Sequence, residues 1–259
     1  MYYLENNNIR KISIKVVSDY ILEQESKLSR RTVYNRKITL RSFLNWLYNK
    51  KIITFSGNAI FPVIHNVKSS ALKSYYSSEE IGKIINSMPK KTKDDIRNYA
   101  IVVTFACLGM RSNDLIKLTS DNINWNDNMI NYVQSKTNIE MLSTMPSILR
   151  YALLDYLKNA RPNVESNYIF IDNNGEQLSS HAVYNITSKA ILYLDDTNYR
   201  KHGSHVFRHS ISTNMLKRSE SISTISKVIG TTTETTSQDY IMYDEKILRN
   251  ISLEVKEWN

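Results

Sequence analysis

Six glycines and four prolines in 259 residues leave this chain few places to interrupt regular backbone. Proline removes a backbone donor and clashes with the preceding turn, and glycine loses the most entropy on ordering, so their scarcity favours long helices with short connections. Apolar spacing agrees. Val16, Val17, Tyr20, Ile21 and Leu22 recur at helical intervals between Ser13 and Ser26. Val33, Leu40, Phe43, Leu44 and Leu47 line one face of a helix over 30–49, with Ser29 placed to cap it. A capping box at Ser77-Ser-Glu-Glu80 opens a second helical series, at about 78–88 and 95–109, with a shorter helix after Arg111. Then the period changes. Strands are predicted at 122–125, 129–134 and 139–145, parted by turn residues at 126–128 and 135–138. Helices resume from Pro146-Ser147 to about 160, and at 180–193, 204–217, 221–229 and 233–241, with a brief extended stretch at 168–171. The expected fold class is mainly α with a small antiparallel β-sheet.

Residues 66–76 carry lysines and serines with little periodicity and read as a linker. They divide the chain into a helical module, 1–70, and a larger mixed α+β domain, 71–259. Charge follows the same division. From Ser26 to Ser78 there is no Asp or Glu, while Lys27, Arg30, Arg31, Arg36, Lys37, Arg41, Lys50, Lys51, Lys68 and Lys73 all fall within it. Those ten charges exceed the net +9 of the whole chain, so the remainder is close to neutral. A basic stripe of this kind attracts phosphate backbones or anionic membranes, and charge alone does not choose between them. Arg31, Asn35, Thr39 and Ser42 lie mostly opposite the apolar face of the 30–49 helix, and such side chains suit phosphate and base contacts.

Other classes are excluded or disfavoured. A single cysteine, Cys107, rules out an internal disulfide framework and a Cys-based zinc site, and its apolar surroundings make it a core thiol. The first residues lack the basic and apolar regions of a signal peptide, and no apolar run approaches the ~20 residues of a membrane span. A cytoplasmic protein without membrane partners is expected. His202, His205 and His209 are not spaced as a zincin site, and no metal is expected there; His65, His181 and His202 read as structural or exposed.

Three glycines punctuate three polar clusters: Gly109-Met-Arg111, Gly203-Ser-His205-Val-Phe-Arg208-His209, and Gly230-Thr-Thr-Thr-Glu-Thr-Thr-Ser-Gln-Asp-Tyr240. His205 and Arg208 are three apart, on one face of a helix. Arg111 follows an apolar helix that must be buried, which puts its guanidinium at the edge of a core. Two arginines and a histidine suit a phosphate whose charge grows in a transition state, because the planar guanidinium fork binds phosphate oxygens in bidentate fashion.

These clusters resemble the tyrosine recombinase (phage integrase) family. Gly109 to Leu118 is similar to its first arginine motif, His205-Val-Phe-Arg208-His209 to its His-x-x-Arg motif, and Gly230 to Tyr240 to the approach to its nucleophile. Lys136, in a predicted β-turn, matches its hairpin lysine. The resemblance implies a helical DNA-binding domain joined to a mixed catalytic domain, together gripping a duplex, with Arg30, Arg31, Arg36, Lys37 and Arg41 as candidate DNA contacts. It implies that Arg111 and Arg208 hold the scissile phosphate, that Tyr240 attacks it to form a 3′-phosphotyrosyl link, that Lys136 protonates the leaving 5′-oxygen, and that His205 aids proton transfer or binds the phosphate. Asp114 takes the place of a family glutamate behind the first arginine, and His209 is either near the chemistry or a core histidine. No cofactor, neither metal nor ATP, is implied. The family has His or Trp after the glycine at 230, where this chain has Thr231; a hydroxyl still reaches a phosphate oxygen but lacks the ring. Three activities are compatible: a site-specific recombinase working as a DNA-bound tetramer through a Holliday junction and serving a mobile element, a type IB topoisomerase working as a monomer, or an accessory DNA-binding protein with little cleavage activity. The amphipathic tail after Tyr240, with Ile247, Leu248, Ile251 and Leu253, favours the first, since assembly needs a docking segment.

Overall fold

The computed structural model describes residues 12–65, 75–194 and 202–231, which fall into two compact units divided between Leu72 and Lys73. In the first, α1 (Ile14–Lys27) and α2 (Arg30–Asn49) each begin at a serine whose hydroxyl accepts from the backbone three residues on: Ser13 from Val16 N–H and Ser29 from Thr32 N–H, both at 3.3 Å. Such a cap satisfies a donor that the first helical turn leaves without a partner. Val17 and Ile21 of α1 and Val33, Leu44 and Leu47 of α2 are buried, and Ile53 closes the small core between them. A four-residue helix, α3 (Gly57–Ile60), packs on α2, where the Asn45 and Asn58 amides bond each other at 3.1 Å. The hydrophobic pattern did not foretell α3, because one turn is too short to show a period.

The second unit is built around α5 (Lys93–Leu108). Ala100, Ile101, Val102, Val103 and Phe105 are all fully buried, so this helix is apolar around its circumference and lies inside the unit. It starts earlier than periodicity suggests because Thr92 and Asp95 form a capping box. Around it pack α4 (Ser78–Ser87), α7 (Ser147–Asp155) with a following π turn (Tyr156–Ala160), α8 (Ser180–Ile191) and α9 (Ser204–Lys217). Between α6 (Ser112–Ile116) and α7 runs a three-stranded antiparallel sheet: β1 (Ile123–Asn124), β2 (Met129–Val133) and β3 (Glu140–Thr144), in the order β1-β2-β3. Ile130 pairs with Ser143 and Tyr132 with Met141. Ile130, Tyr132 and Met141 point inward and Asn131, Val133 and Leu142 outward, the alternation a half-buried sheet requires. The helix α10 (Ile222–Ile229), capped by Ser221, ends the described residues at Thr231. The fold class is therefore as the sequence implies, mainly α with a small antiparallel sheet. The helix expected at 233–241 lies outside the described residues. No described helix is long and apolar enough to cross a membrane.

Candidate active site

Each arginine of the motifs is positioned by a backbone feature beside it. Gly109 ends α5 at φ 58° and ψ 26°, a left-handed conformation that glycine adopts without a side-chain clash. This stops the buried helix abruptly and turns the chain to Arg111, which is half-buried at the N-cap of α6. Arg208 lies in α9, only 6% exposed, and its Nη1 donates to the Gly109 carbonyl at 3.0 Å. The second arginine is thereby tied to the turn that presents the first. At the starts of α6 and α9 the Ser112 and Ser204 hydroxyls are 2.6 Å apart. His205 is exposed one turn before Arg208, and His209 is half-buried.

The hairpin joining β2 to β3 is fastened to the same place. Lys136 is exposed in its turn. Beside it, the Ser135 N–H donates to the Asp114 carboxylate at 2.8 Å, and Asp114 is only 3% exposed. A charged acceptor strengthens such a bond and holds the turn to α6. Gln134, fully buried, makes a second link: its Oε1 accepts from Arg111 Nη1 and from the Thr137 hydroxyl, and its Nε2 donates to the Ile229 carbonyl at 2.9 Å. Ile229 is the last residue of α10, followed by Gly230 at φ 61° and the half-buried Thr231. Four separate segments (109–111, 134–137, the first turns of α9, and the end of α10) are thus gathered at one locality.

Tyr132 reports the electrostatics. Burial raises its hydroxyl above the ordinary tyrosine value, and the Asp114 charge raises it further; the Gln134 hydrogen bond and the Arg208 and Arg111 charges oppose them. The two guanidinium groups and one carboxylate therefore act on the same small volume. Forked guanidinium donors of this kind suit the oxygens of a phosphate.

Among the expected site residues, Arg111, Arg208, Lys136, Asp114 and Thr231 belong to this network or border it. Tyr240 lies outside the described residues. The described residues contain no group of three or more His, Cys, Asp or Glu able to hold a metal ion. Gln134, Tyr132 and the Ser112–Ser204 pair were not singled out from the sequence. Gln134 carried a signal all the same: in the alternation Ile130, Tyr132, Gln134 it holds an inward position, and an amide there needs partners.

In the first unit, the candidate DNA contacts separate into two groups. Arg30, Arg31 and Arg36 are exposed. Arg31 lies 5.4 Å from the centre of the Tyr34 ring, and Arg36 Nη1 donates to the Tyr20 hydroxyl at 3.4 Å. Thr32, Asn35, Thr39 and Ser42 are exposed on the same side of α2 as Arg31 and Arg36. Lys37 instead forms an ion pair with Glu25 at 2.6 Å, and Arg41 Nη1 reaches the Phe61 carbonyl at 3.5 Å.

Residues 75–246 match the family model described as the phage integrase family. Over 240 residues the chain is 26% identical to a Sinorhizobium fredii protein named as an integrase/recombinase, y4rA, covering 92% of this chain and 58% of that one. Over 226 residues it is 26% identical to the tyrosine recombinase XerC of Pelotomaculum thermopropionicum, covering 84% of this chain and 72% of that one. Among solved structures it resembles the site-specific recombinase XerH, bound to a palindromic difH substrate in a post-cleavage complex, with a TM-score of 0.78 at 17% identity, covering 99% of this chain and 76% of that one. A lambda integrase fragment, residues 75–356, bound as a dimer to a core site, matches with a TM-score of 0.64 at 16% identity, covering 98% and 84%. At such identities the structural likeness speaks for the fold.

Proposed function

The chain belongs to the phage integrase family, and from that premise we propose that it cuts and rejoins DNA as a site-specific recombinase, integrating or excising a mobile element. The observation that carries this reading is the gathering of Arg111, Arg208 and the Lys136 hairpin at one place through Gln134, Asp114 and the Gly109 carbonyl. Arg111 and Arg208 hold the scissile phosphate and stabilise the charge that builds on its oxygens. The Tyr240 oxygen attacks phosphorus as the bond to the 5′-oxygen breaks, leaving a 3′-phosphotyrosyl ester. Lys136 gives its proton to the departing 5′-oxygen, and His205 assists proton transfer or binds the phosphate. A 5′-hydroxyl from the partner site then attacks the ester and releases the tyrosine. One phosphodiester replaces another, so the balance requires no ATP, and the guanidinium groups supply the charge that a metal ion supplies in many phosphoryl-transfer enzymes.

The partner is duplex DNA. Arg30, Arg31 and Arg36 of the first unit are exposed to meet its phosphates, and the amide and hydroxyl side chains beside them suit base edges. Two sites exchange strands through a Holliday junction in a tetramer, with the apolar tail after Tyr240 docking on a neighbouring subunit.

A covalent trap tests the reading. The protein is mixed with nicked duplexes carrying the ends of its own element, without metal or ATP, and resolved on a denaturing gel beside Tyr240→Phe. A protein–DNA adduct lost in the mutant is the expected result. Tight binding with no adduct would overturn it in favour of an accessory DNA-binding protein, the reading that Thr231 supports. An adduct accompanied by relaxation of supercoils without strand exchange would point instead to a topoisomerase.

A further inference from the structure

Gln134 is a buried side chain that touches three of the four gathered segments. It is completely enclosed, and besides its bond to the Tyr132 hydroxyl its amide bonds Arg111, Thr137 beside Lys136, and the Ile229 carbonyl at the end of α10. Oε1 receives the Arg111 guanidinium, fixing the direction of one of its donors. Oε1 also receives the hydroxyl of Thr137, the residue next to Lys136. Nε2 donates to the Ile229 carbonyl, two residues before Thr231 and eleven before Tyr240. Its backbone closes the hairpin turn as well, donating to Ile139 O and accepting from Asn138 N–H, both at 2.9 Å. A β-carbon on Gly230 would collide with the Gln134 amide and with Met141 Sδ, so the α10 terminus is fitted against this side chain.

Simple filling of a core position does not call for this. An apolar side chain would suit an inward position at the end of β2 better, because a buried amide is costly unless all its partners are present. An unbranched amide of this length does what an apolar residue cannot: it accepts from a cation and a hydroxyl on one side and donates to a carbonyl on the other. We infer that Gln134 is a positioning residue for strand cleavage, holding Arg111, the Lys136 turn and the approach to the nucleophile in one arrangement. This rests on the strand-transfer reading above, since Gln134 acts only through those residues.

The test uses Gln134→Met, equal in length but without hydrogen-bonding atoms, and Gln134→Glu, which keeps both accepted bonds. Single-turnover adduct formation is followed on the nicked duplex at saturating protein, the dissociation constant is measured by band-shift at the same salt, and the folded fraction by circular dichroism. Gln134→Met is expected to slow cleavage at least tenfold with DNA affinity within threefold of wild type, and Gln134→Glu to fall between the two. Wild-type cleavage rates in Gln134→Met would overturn the inference. So would a slowing that disappears once rates are corrected for the folded fraction, or one wholly matched by lost DNA affinity. Absence of adduct in the wild-type lane would instead overturn the strand-transfer reading, and this inference with it.

Discussion

At the scale of single residues, Arg208 combines two requirements. In the proposed reaction its guanidinium must be buried enough to exclude water and still present donors to a phosphate. The bond from Nη1 to the Gly109 carbonyl uses one end of the group to orient the rest. Lysine would keep the charge but lose the fork. Arg208→Lys is therefore expected to slow adduct formation by about 100-fold or more, the scale for loss of a fixed transition-state donor, while circular dichroism stays at the wild-type level. Cys107 illustrates the opposite case, a group silenced by its surroundings. Burial pushes its thiol up to about 11. Below the ordinary thiol value near 9, both the folded and the unfolded chain keep the proton, and the contribution to stability is complete. As pH rises from there towards 11, the unfolded chain ionises first and that contribution is lost. Alkylation by iodoacetamide at pH 8, followed by mass spectrometry, should be at least tenfold slower in the native protein than in urea.

At the scale of elements, the C-terminus of α10 depends on a position that only glycine fills. Gly230 has φ 61°, and the Gln134 and Met141 side chains occupy the space a β-carbon would need. Gly230→Ala should lower stability by about 1–3 kcal/mol for the backbone conformation alone. It should also reduce cleavage, because the Ile229 carbonyl and the chain beyond it must shift; urea denaturation and the covalent trap measure the two effects. In α2 the structure distinguishes between neighbouring cations. Arg36 is exposed on the polar face, whereas the Lys37 ammonium is already paired with Glu25. Arg36→Ala should lower the slope of log K against log salt by about one, and Lys37→Ala by less. Equal changes in the two would remove the distinction.

At the scale of the whole molecule, ten cations without an acidic residue between Ser26 and Ser78 predict DNA binding that weakens steeply with salt. The slope should approach about −0.9 for each phosphate neutralised, and fluorescence anisotropy from 50 to 200 mM salt would measure it. A nearly flat response would refute a phosphate-tracking role for this segment. The chain spans 58% of the length of the Sinorhizobium fredii protein it matches, so activities of that larger protein extend here only as proposals.

Much of the architecture could be read along the chain. Helices α1, α2 and α4 to α10 and the three strands follow from apolar period, caps and turn residues, because these depend on backbone geometry over a few neighbouring positions. The same local information, with the family motifs, marked Arg111, Lys136, Asp114, His205 and Arg208. What the chain order could not supply is the set of bonds between distant segments. Arg208 meets the carbonyl of Gly109, 99 residues earlier, and Gln134 meets that of Ile229, 95 residues later. The isolated bridge between Thr119 and Tyr168 is of the same kind. Such contacts exist only once α5 is buried and the sheet has packed beside it. Periodicity says which way a side chain faces, but only tertiary packing decides what it meets there, and for Gln134 and Lys37 the partner determines the role.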